Sequence, residues 1–302
     1  MVISRAQIQK ELVPGLNALF GLEYDTYENE HAEIYQTYSS KRSFEEEQKL
    51  YGFGQAEVKD EGAEVHFDDA GEAWAARYNH ETIAMGFILT EEAVEDNLYA
   101  SLSQRYTRAL ARSMAYTKQT KAAAILNDGF TSFYSGDGVT LFSTAHPTRA
   151  GRSNSNTQST AADVSEAALE NAAIQIGQWV DERGLLINAK PVKVIAPRDL
   201  QFTLKRIMGS ELRPGTTDND LNAMKAMATF SKGYKINNFL TDPDSYYIIT
   251  DVPEGLKHFQ RAPLTTGDDG DFTTGNMRYK ARERYSFGVT DPLGVWGSTG
   301  GA

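Results

Sequence analysis

TEEAVEDNLYASLSQRYTRALARSMAYTKQTKAAAILNDG, residues 90–129, is the stretch of sequence that decides the fold. No proline interrupts it, its only glycine is its last residue, and its alanine, leucine, arginine and lysine content favours a helix. Acidic residues lie in the first turns and basic residues follow, as the helix macrodipole favours. Thr90 can cap the N-terminus and Gly129 can end the helix. The sequence therefore predicts one helix over residues 91–128, about 55 Å long at about 1.5 Å per residue.

The apolar residues of this helix recur at every fourth position. A step of four residues exceeds one turn by roughly 40°, so the apolar stripe winds around the helix and predicts different partners along its length. A coiled coil would need an average spacing near 3.5 residues, which is absent. A buried helix of an ordinary globular enzyme remains the alternative. The stripe consists of Val94, Leu98, Leu102, Tyr106, Leu110 and Met114.

Composition excludes several classes of function. The 302 residues include 30 Lys and Arg against 41 Asp and Glu, a net charge of −11, which argues against a nucleic-acid-binding surface. The chain has no cysteine, so disulfides, thiol nucleophiles and cysteine-ligated zinc are excluded. No signal peptide is recognisable, and no apolar run approaches the roughly 20 residues of a membrane span. We expect a soluble protein that is made in the cytoplasm and does not contact a membrane.

The chain before the long helix is unusual for a monomer. Residues 21–54 are both acidic and rich in tyrosine, without a helical or strand period, which favours an extended arm lying on another surface. An irregular N-terminal subdomain is the alternative. Residues 55–89 alternate in the manner of strands around the turn sequence DDAG at 68–71, which predicts a hairpin. This ribbon is too polar to be stable alone and is expected to lean on another surface.

The remaining sequence predicts a compact α/β region and a returning β segment. Helices are expected at 163–183, 198–208 and 218–230, and strands at 191–197, 234–240 and 246–252. Residues 261–296 alternate again, with a turn predicted at 266–270.

No catalytic, cofactor-binding or metal-binding residue is predicted. The chain lacks a nucleophile elbow, a P-loop, a dinucleotide fingerprint and a zincin motif. Two acidic runs, at 242–244 and 268–271, do not meet the EF-hand template and indicate solvated turns. The basic helix residues Arg105, Arg108 and Arg112 favour ion pairs within or between subunits. The five histidines have no metal-ligand spacing and are interpreted as surface or core residues: His31, His66, His80, His146 and His258.

The absence of site chemistry, together with elements that need outside partners, predicts a structural protein that assembles. The order of parts resembles the tailed-bacteriophage major capsid proteins with the Hong Kong 97-like fold. Three segments carry the resemblance: AMGFILTEEA at 84–93, LFSTAHP at 141–147, and RERYSFG at 282–288 with DPLG at 291–294. It covers essentially the whole chain.

The resemblance implies an α+β fold with four parts. These are an N-terminal arm at 1–54, an extended hairpin loop at 55–90, a peripheral domain at 91–162 and about 252–285, and an axial domain at 163–251 and about 286–302. The helix at 91–128 would be the spine of the peripheral domain. No enzymatic activity and no cofactor are implied.

The implied function is that of a major capsid protein, which self-assembles as hexamers and pentamers into an icosahedral shell around double-stranded DNA. Portal and decoration proteins are the implied partners, and the virion capsid is the implied location, after assembly in the host cytoplasm. DNA would be enclosed without sequence-specific binding. The short, tyrosine-rich segment before the loop predicts a separate scaffolding protein and no large N-terminal cleavage. An encapsulin-like nanocompartment shell and an uncharacterised α/β enzyme are the alternatives.

Overall fold

The computed structural model describes residues 5–62, 64–90, 92, 99–211, 221–271 and 273–301. The long helix is present as α2, Tyr99–Asn127. Residues 91 and 93–98 of the predicted helix, which include Val94 and Leu98, lie outside the described residues. We refer to α2 as the spine helix.

A helix, α1, occupies the start of the predicted N-terminal arm. It spans Arg5–Thr26, so the prediction of a segment without a helical period over 21–54 was wrong for residues 21–26. Leu16 and Phe20, one turn apart, are buried against the spine helix. Tertiary packing of this apolar pair outweighs the weak local helix propensity.

Two four-stranded sheets organise the strands. The first, which we call the long sheet, has the order β1-β10-β11-β4, and the second, the short sheet, has the order β12-β9-β7-β8. The strands of the long sheet are β1 (Gln36–Ser39), β4 (Glu81–Leu89), β10 (Leu256–Gly270) and β11 (Met277–Val289). Those of the short sheet are β7 (Pro191–Ala196), β8 (Tyr234–Ile236), β9 (Tyr246–Thr250) and β12 (Val295–Ser298).

The predicted hairpin exists with a different first strand. β3 (Gly71–Asn79) pairs with β2 (Phe44–Tyr51), not with the alternating run before the DDAG sequence. Residues 52–62 and 64–70 form no strand and connect β2 to β3. The alternating pattern identified strand-forming residues correctly in β3 but could not select its partner, because the sequence of β2, FEEEQKLY, shows no two-residue period.

The helices of the α/β region are shorter than predicted. α3 spans Glu166–Gly177 and ends before Trp179, because Asn154 hydrogen-bonds both backbone groups of Val180, Nδ2 to O at 2.7 Å and N to Oδ1 at 3.0 Å. α4 covers Gln201–Gly209 and α5 only Ala223–Ala226; residues 218–220 of the predicted third helix lie outside the described residues. The turn predicted at 266–270 is also wrong, since β10 continues to Gly270. Two short strands, β5 (His146–Pro147) and β6 (Ser153–Asn154), pair with each other.

The spine helix meets different partners along its length, as its winding stripe predicted. Leu110 and Met114 pack with α1 and with Tyr279 of the long sheet. Leu126, further along, packs with residues of the short sheet, including Tyr247. A separate core joins α3, α4 and the other face of the short sheet around Trp296. No helix within the described ranges is long and apolar enough to cross a membrane.

Candidate assembly surface

The ribbon of β2 and β3 lies against the body of its own subunit. Lys257 of β10 is buried and forms ion pairs with Glu47 of the ribbon and with Glu254. Burial disfavours the Lys257 ammonium, but hydrogen bonds to the two carboxylates outweigh burial and raise its pKa. In β2, Lys49 pairs with the buried Asp291. Charges supplied by the body therefore hold a ribbon that is too polar to be stable alone.

Trp74 fixes the ribbon from its second strand. Its Nε1 donates a hydrogen bond to the backbone oxygen of Thr290 at 3.1 Å, and the Tyr78 hydroxyl hydrogen-bonds the Thr290 side chain. The indole lies directly on Gly136, where a Cβ would come within 2.1 Å of the Trp74 Cδ1 atom. Glycine at this position is therefore required for the ribbon to dock.

The connection between β2 and β3, residues 52–70, is tied down at its base, and its described residues form no further anchor. We call it the ribbon loop. The Asp68 carboxylate accepts a hydrogen bond from the Gly54 N–H at 2.7 Å and forms an ion pair with Arg183. The Arg183 guanidinium and the Gly54 N–H lower the pKa of Asp68 to about 2. Beyond this anchor the loop is open to solvent, with Val58 95% and Phe67 90% exposed.

The ribbon loop combines apolar exposure with negative charge. It carries six acidic residues and one lysine, a net charge of −5. A solvated loop has no need of exposed valine and phenylalanine, and such apolar surface with a polar rim is typical of an interaction site. The charged residues are Glu57, Lys59, Asp60, Glu61, Glu64, Asp68 and Asp69.

β4 forms one edge of the long sheet and is open for pairing. Among the described strands it pairs only with β11. Its nine residues, ETIAMGFIL, carry one charge, and Met85 and Ile88 are more than half exposed. The opposite edge, β1, is four residues long and polar. Natural sheets usually protect their edges by shortness or charge, so β4 is the unprotected one.

The exposed face of the long sheet is basic. Alternate residues of β11, namely Arg278, Lys280 and Arg282, point away from the spine helix and are exposed; we call them the basic stripe. Within the described part of the chain, Lys280 and Arg282 form no ion pair, whereas Arg278 pairs with Asp271. This face stands out in a chain whose net charge is −11.

The opposite face of β11 buries an ion pair beneath the spine helix. The Lys118 Nζ lies 3.4 Å from a Glu283 carboxylate oxygen, and the Glu283 side chain is 1% exposed. Burial raises the pKa of Glu283, and Lys118 offsets part of that shift. Tyr24 of α1 donates a long hydrogen bond of 3.5 Å to the same carboxylate, and burial raises its pKa. The pair ties α1, the spine helix and the long sheet together.

Two buried histidines lie beside this ion pair. The rings of His31 and His258 are 5.3 Å apart, and His258 stacks on Phe287 at 4.5 Å. Burial, assisted by the Lys118 charge, lowers the pKa of His31 to about 4 and that of His258 to about 3. Linear spacing gave no signal for this pairing, because the two residues come from opposite ends of the chain.

Two of the other histidines, His80 and His146, also bind ordinary protein groups. His146 Nδ1 lies 2.6 Å from the buried carboxylate of Asp137, and His80 hydrogen-bonds two serines. His66 is exposed on the ribbon loop. Within the described residues no group of three or more His, Asp and Glu side chains is placed to hold a metal ion. In the acidic runs, Asp242 and Asp271 accept backbone hydrogen bonds, as expected of turns.

Two basic side chains of the spine helix contact the N-terminal part of the same subunit. Arg108 lies 4.0 Å from an oxygen of Glu23 in α1, and the Arg112 guanidinium lies 5.9 Å from the ring centroid of Tyr27, just after α1. Arg108 therefore forms an ion pair within the subunit, whereas Arg112 contacts an aromatic ring.

A long spine helix, a ribbon that ends in an acidic loop with exposed apolar side chains, and an unprotected sheet edge are typical of a structural protein that assembles. The sequence pattern of the phage capsid protein family matches residues 75–298, and the chain belongs to this family. The predicted family and α+β fold are confirmed. No curated protein matches the chain.

Solved shell proteins share the fold over most of their length. A virus-like particle from Pyrococcus furiosus matches with a TM-score of 0.56 and 10% identity, covering 94% of this chain and 97% of that one. The capsid of cyanophage P-SCSP1u matches with a TM-score of 0.57 and 10% identity, covering 87% and 85%. Mycobacterium phage Adephagia matches with a TM-score of 0.54 and 12% identity, covering 100% and 99%. Identities this low establish the fold alone.

Proposed function

We propose that this chain is the major shell subunit of a tailed-phage head and packs as hexamers and pentamers around double-stranded DNA. Membership of the phage capsid protein family over residues 75–298 carries the proposal. It makes the chain a structural capsid protein and not an enzyme. It also favours a phage head over an encapsulin-like nanocompartment and over an uncharacterised α/β enzyme.

The proposed division into domains follows the two sheets. The long sheet, α1 and the spine helix would form the peripheral domain, and the short sheet with α3, α4 and α5 would form the axial domain. β4 pairs with β11 along its whole length, which supports including it in the peripheral domain instead of the extended loop. The extended loop would then be β2, β3 and the ribbon loop.

Separate scaffolding, portal and decoration proteins are proposed as partners. α1 supports the separate scaffold, because Leu16 and Phe20 are part of the core that the spine helix shares with the long sheet. Removing α1 by proteolysis would expose that core. We therefore propose that α1 stays in the mature shell.

The shell would enclose DNA without binding it by sequence. A net charge of −11 repels the phosphate backbone, so packaged DNA would not adhere strongly to the subunits. The subunits would assemble in the host cytoplasm and remain in the virion capsid.

Electron microscopy of the purified protein tests this function. We expect rings, tubes or closed shells, because many weak identical contacts add up when subunits close a lattice. Uniform monomers by light scattering at several salt concentrations, with a compact solution scattering profile, would contradict the proposal.

A further inference from the structure

We propose that each subunit holds an ordered water molecule beneath the spine helix, hydrogen-bonded to Glu283, His258 and Tyr285. This is a binding site for a small neutral ligand in the interior of the chain. The inference goes beyond the proposed function, because it concerns a single subunit and holds whether or not subunits assemble into a shell.

Three neighbouring side chains each have a buried polar atom without a partner. Glu283 Oε1, His258 Nε2 and the Tyr285 hydroxyl oxygen form no hydrogen bond with any described residue. Glu283 and Tyr285 are each 1% exposed, and His258 is 2% exposed. An unpaired buried donor or acceptor is costly, and nearly all such atoms in native proteins bond to protein or to ordered water. Three of them side by side therefore indicate a bound partner.

These three side chains converge in one small region. Glu283 and Tyr285 are two residues apart in β11, so they lie on the same face of the long sheet. His258 comes from the neighbouring strand β10, and its ring centroid lies 5.9 Å from that of Tyr285. A water molecule with two hydrogen bonds of about 2.9 Å bridges polar atoms that are up to about 6 Å apart. The separations in this region have the same scale.

The ion pair beside the site also lacks close hydrogen bonds. Lys118 Nζ lies 3.4 Å from one Glu283 oxygen, and the Tyr24 hydroxyl lies 3.5 Å from the same oxygen. Charge-assisted hydrogen bonds are normally about 2.7–2.9 Å long. Within the described chain, this long contact is the only hydrogen bond of the Lys118 ammonium. A buried ion pair is stable only when further hydrogen bonds satisfy its atoms, and a water molecule supplies them.

The charges around the site select a neutral ligand. A cation would be repelled by the Lys118 ammonium, and an anion would be repelled by the Glu283 carboxylate. The ligand must donate a hydrogen bond to the carboxylate, whereas the Tyr285 hydroxyl can either donate or accept. Water is neutral and both donates and accepts. Buried waters typically form about three hydrogen bonds, which equals the number of unpartnered atoms here.

A crevice beside the site brings solvent to it. The crevice has a volume of about 190 Å³, and Tyr285 is one of its lining residues. Lys121 and Glu81 also line it, and their side chains are 39% and 61% exposed, so one side of the crevice is open to water. A water molecule occupies about 30 Å³ of liquid volume. Solvent that fills the crevice therefore touches one of the three side chains of the site.

A structure of the full chain at a resolution that shows ordered waters tests the site directly. We expect density within about 2.7–3.2 Å of Glu283 Oε1 and of at least one of the other two unpartnered atoms. Side chains that bond directly to one another, with no density between them, would overturn the proposal.

An apolar exchange of the ion pair provides a second measurement. Lys118→Met combined with Glu283→Leu removes both charges and keeps a similar volume, a change that folded proteins often tolerate. Magnetic relaxation dispersion of water counts the long-lived internal waters, and we expect this count to fall by about one per subunit. The matched control, Lys225→Met with Glu211→Leu, makes the same change in an exposed pair and should leave the count unchanged. An unchanged count in the Lys118 and Glu283 variant would contradict the site.

Tyr285→Phe tests the site without removing a charge. It keeps the aromatic ring and removes one hydrogen bond to the water, so the water should exchange with solvent about tenfold faster. This variant decides the question if the apolar exchange does not fold, and an unchanged exchange rate would then refute the site. None of these results alters the proposed capsid function, which is tested by assembly.

Discussion

Four buried residues form a polar group in the interior that the sequence did not predict. His31, His258, Lys118 and Glu283 are unremarkable in the linear sequence, since no spacing relates them. They meet because the long sheet, the spine helix and the segment after α1 converge at one point. The two histidines were interpreted as surface or core residues, and the burial of all four side chains as one group depends on tertiary contacts.

Acid should destabilise the subunit through its two buried histidines. The folded protein holds the pKa of His31 at about 4 and that of His258 at about 3, whereas histidines of the unfolded chain titrate near pH 6.5. The unfolded state therefore binds more protons in this range. Stability should be full above about pH 6.5 and fall as the pH drops toward 4, by up to about 1.4 kcal/mol per pH unit for each histidine.

Chemical denaturation at several pH values measures this effect. The double variant His31→Gln, His258→Gln should flatten the pH profile, whatever its stability at neutral pH. His66→Gln, on the exposed ribbon loop, is the matched control and should leave the profile unchanged. A double variant with the same slope as the unmodified chain would refute the assignment.

Removing the partner of a buried lysine should be costly. Glu283→Ala leaves Lys118 charged and uncompensated beneath the spine helix, and we expect a loss of about 3–5 kcal/mol in the free energy of unfolding. Glu81→Ala removes the partner of Lys121 at a site where both side chains are well exposed, and should cost about 0–1 kcal/mol. Equal losses in denaturant titrations would show that the Lys118 pair is not effectively buried.

The secondary-structure elements that the sequence predicted are those whose local composition and periodicity favour one conformation. The spine helix was predictable because its composition and the absence of helix breakers all favour a helix. α1 was missed because its helix is stabilised by packing and not by propensity. The pairing of β2 with β3 was missed because alternation identifies a strand but not its partner. The ends of α3 and β10 depend on Asn154 and on the length of β11, which no local pattern encodes.

The contact between α1 and the spine helix should dominate the stability of the core that these two helices share with the long sheet. Met114 is 2% exposed among α1, the spine helix and the long sheet, so Met114→Ala should cost about 2–5 kcal/mol. Leu22→Ala, on the exposed side of α1 with 72% of its side chain accessible, should change stability by less than about 0.5 kcal/mol. Thermal denaturation distinguishes the two. A small loss for Met114→Ala would mean that α1 does not pack as described.

Ribbon docking should depend on the absence of a side chain at position 136. Gly136→Ala places a Cβ within 2.1 Å of the Trp74 ring, so the indole must leave its site and the ribbon should loosen. We expect faster amide hydrogen exchange in β2 and β3 with little change in the short sheet. Gly138→Ala, at a positive φ with open space around it, controls for general strain in this turn. Unchanged exchange in the ribbon would contradict the docking geometry.

At the scale of the whole molecule, the order of parts was more informative than any single motif. The chain is acidic and has no catalytic signature. Its tyrosine-rich arm and its polar ribbon both need a surface to lie on, and these features together predicted assembly. The resemblance then supplied the fold, which the family match confirmed. The basic stripe and the open β4 edge required the structure, because strand order places β4 outermost and turns alternate residues of β11 outward.

Salt should weaken assembly. Charges exposed on the ribbon loop and on the basic stripe interact with their surroundings through solvent, and such interactions are screened over about 10 Å at 0.1 M salt and about 3 Å at 1 M. Light scattering should show slower assembly as sodium chloride rises across this range. A rate independent of salt would exclude charge as a steering force.

Two of the connections between the sheets, from β9 to β10 and from β11 to β12, touch each other. Gly255 lies just before β10 and Gly294 just before β12, and a Cβ on Gly294 would come within 2.3 Å of the Gly255 Cα atom. The Asp291 N–H also donates a hydrogen bond of 2.8 Å to the Glu254 oxygen across this crossing. At this point no side chain separates the two connections. A side chain at Gly255 or Gly294 would therefore push them apart and disturb the junction of the two sheets.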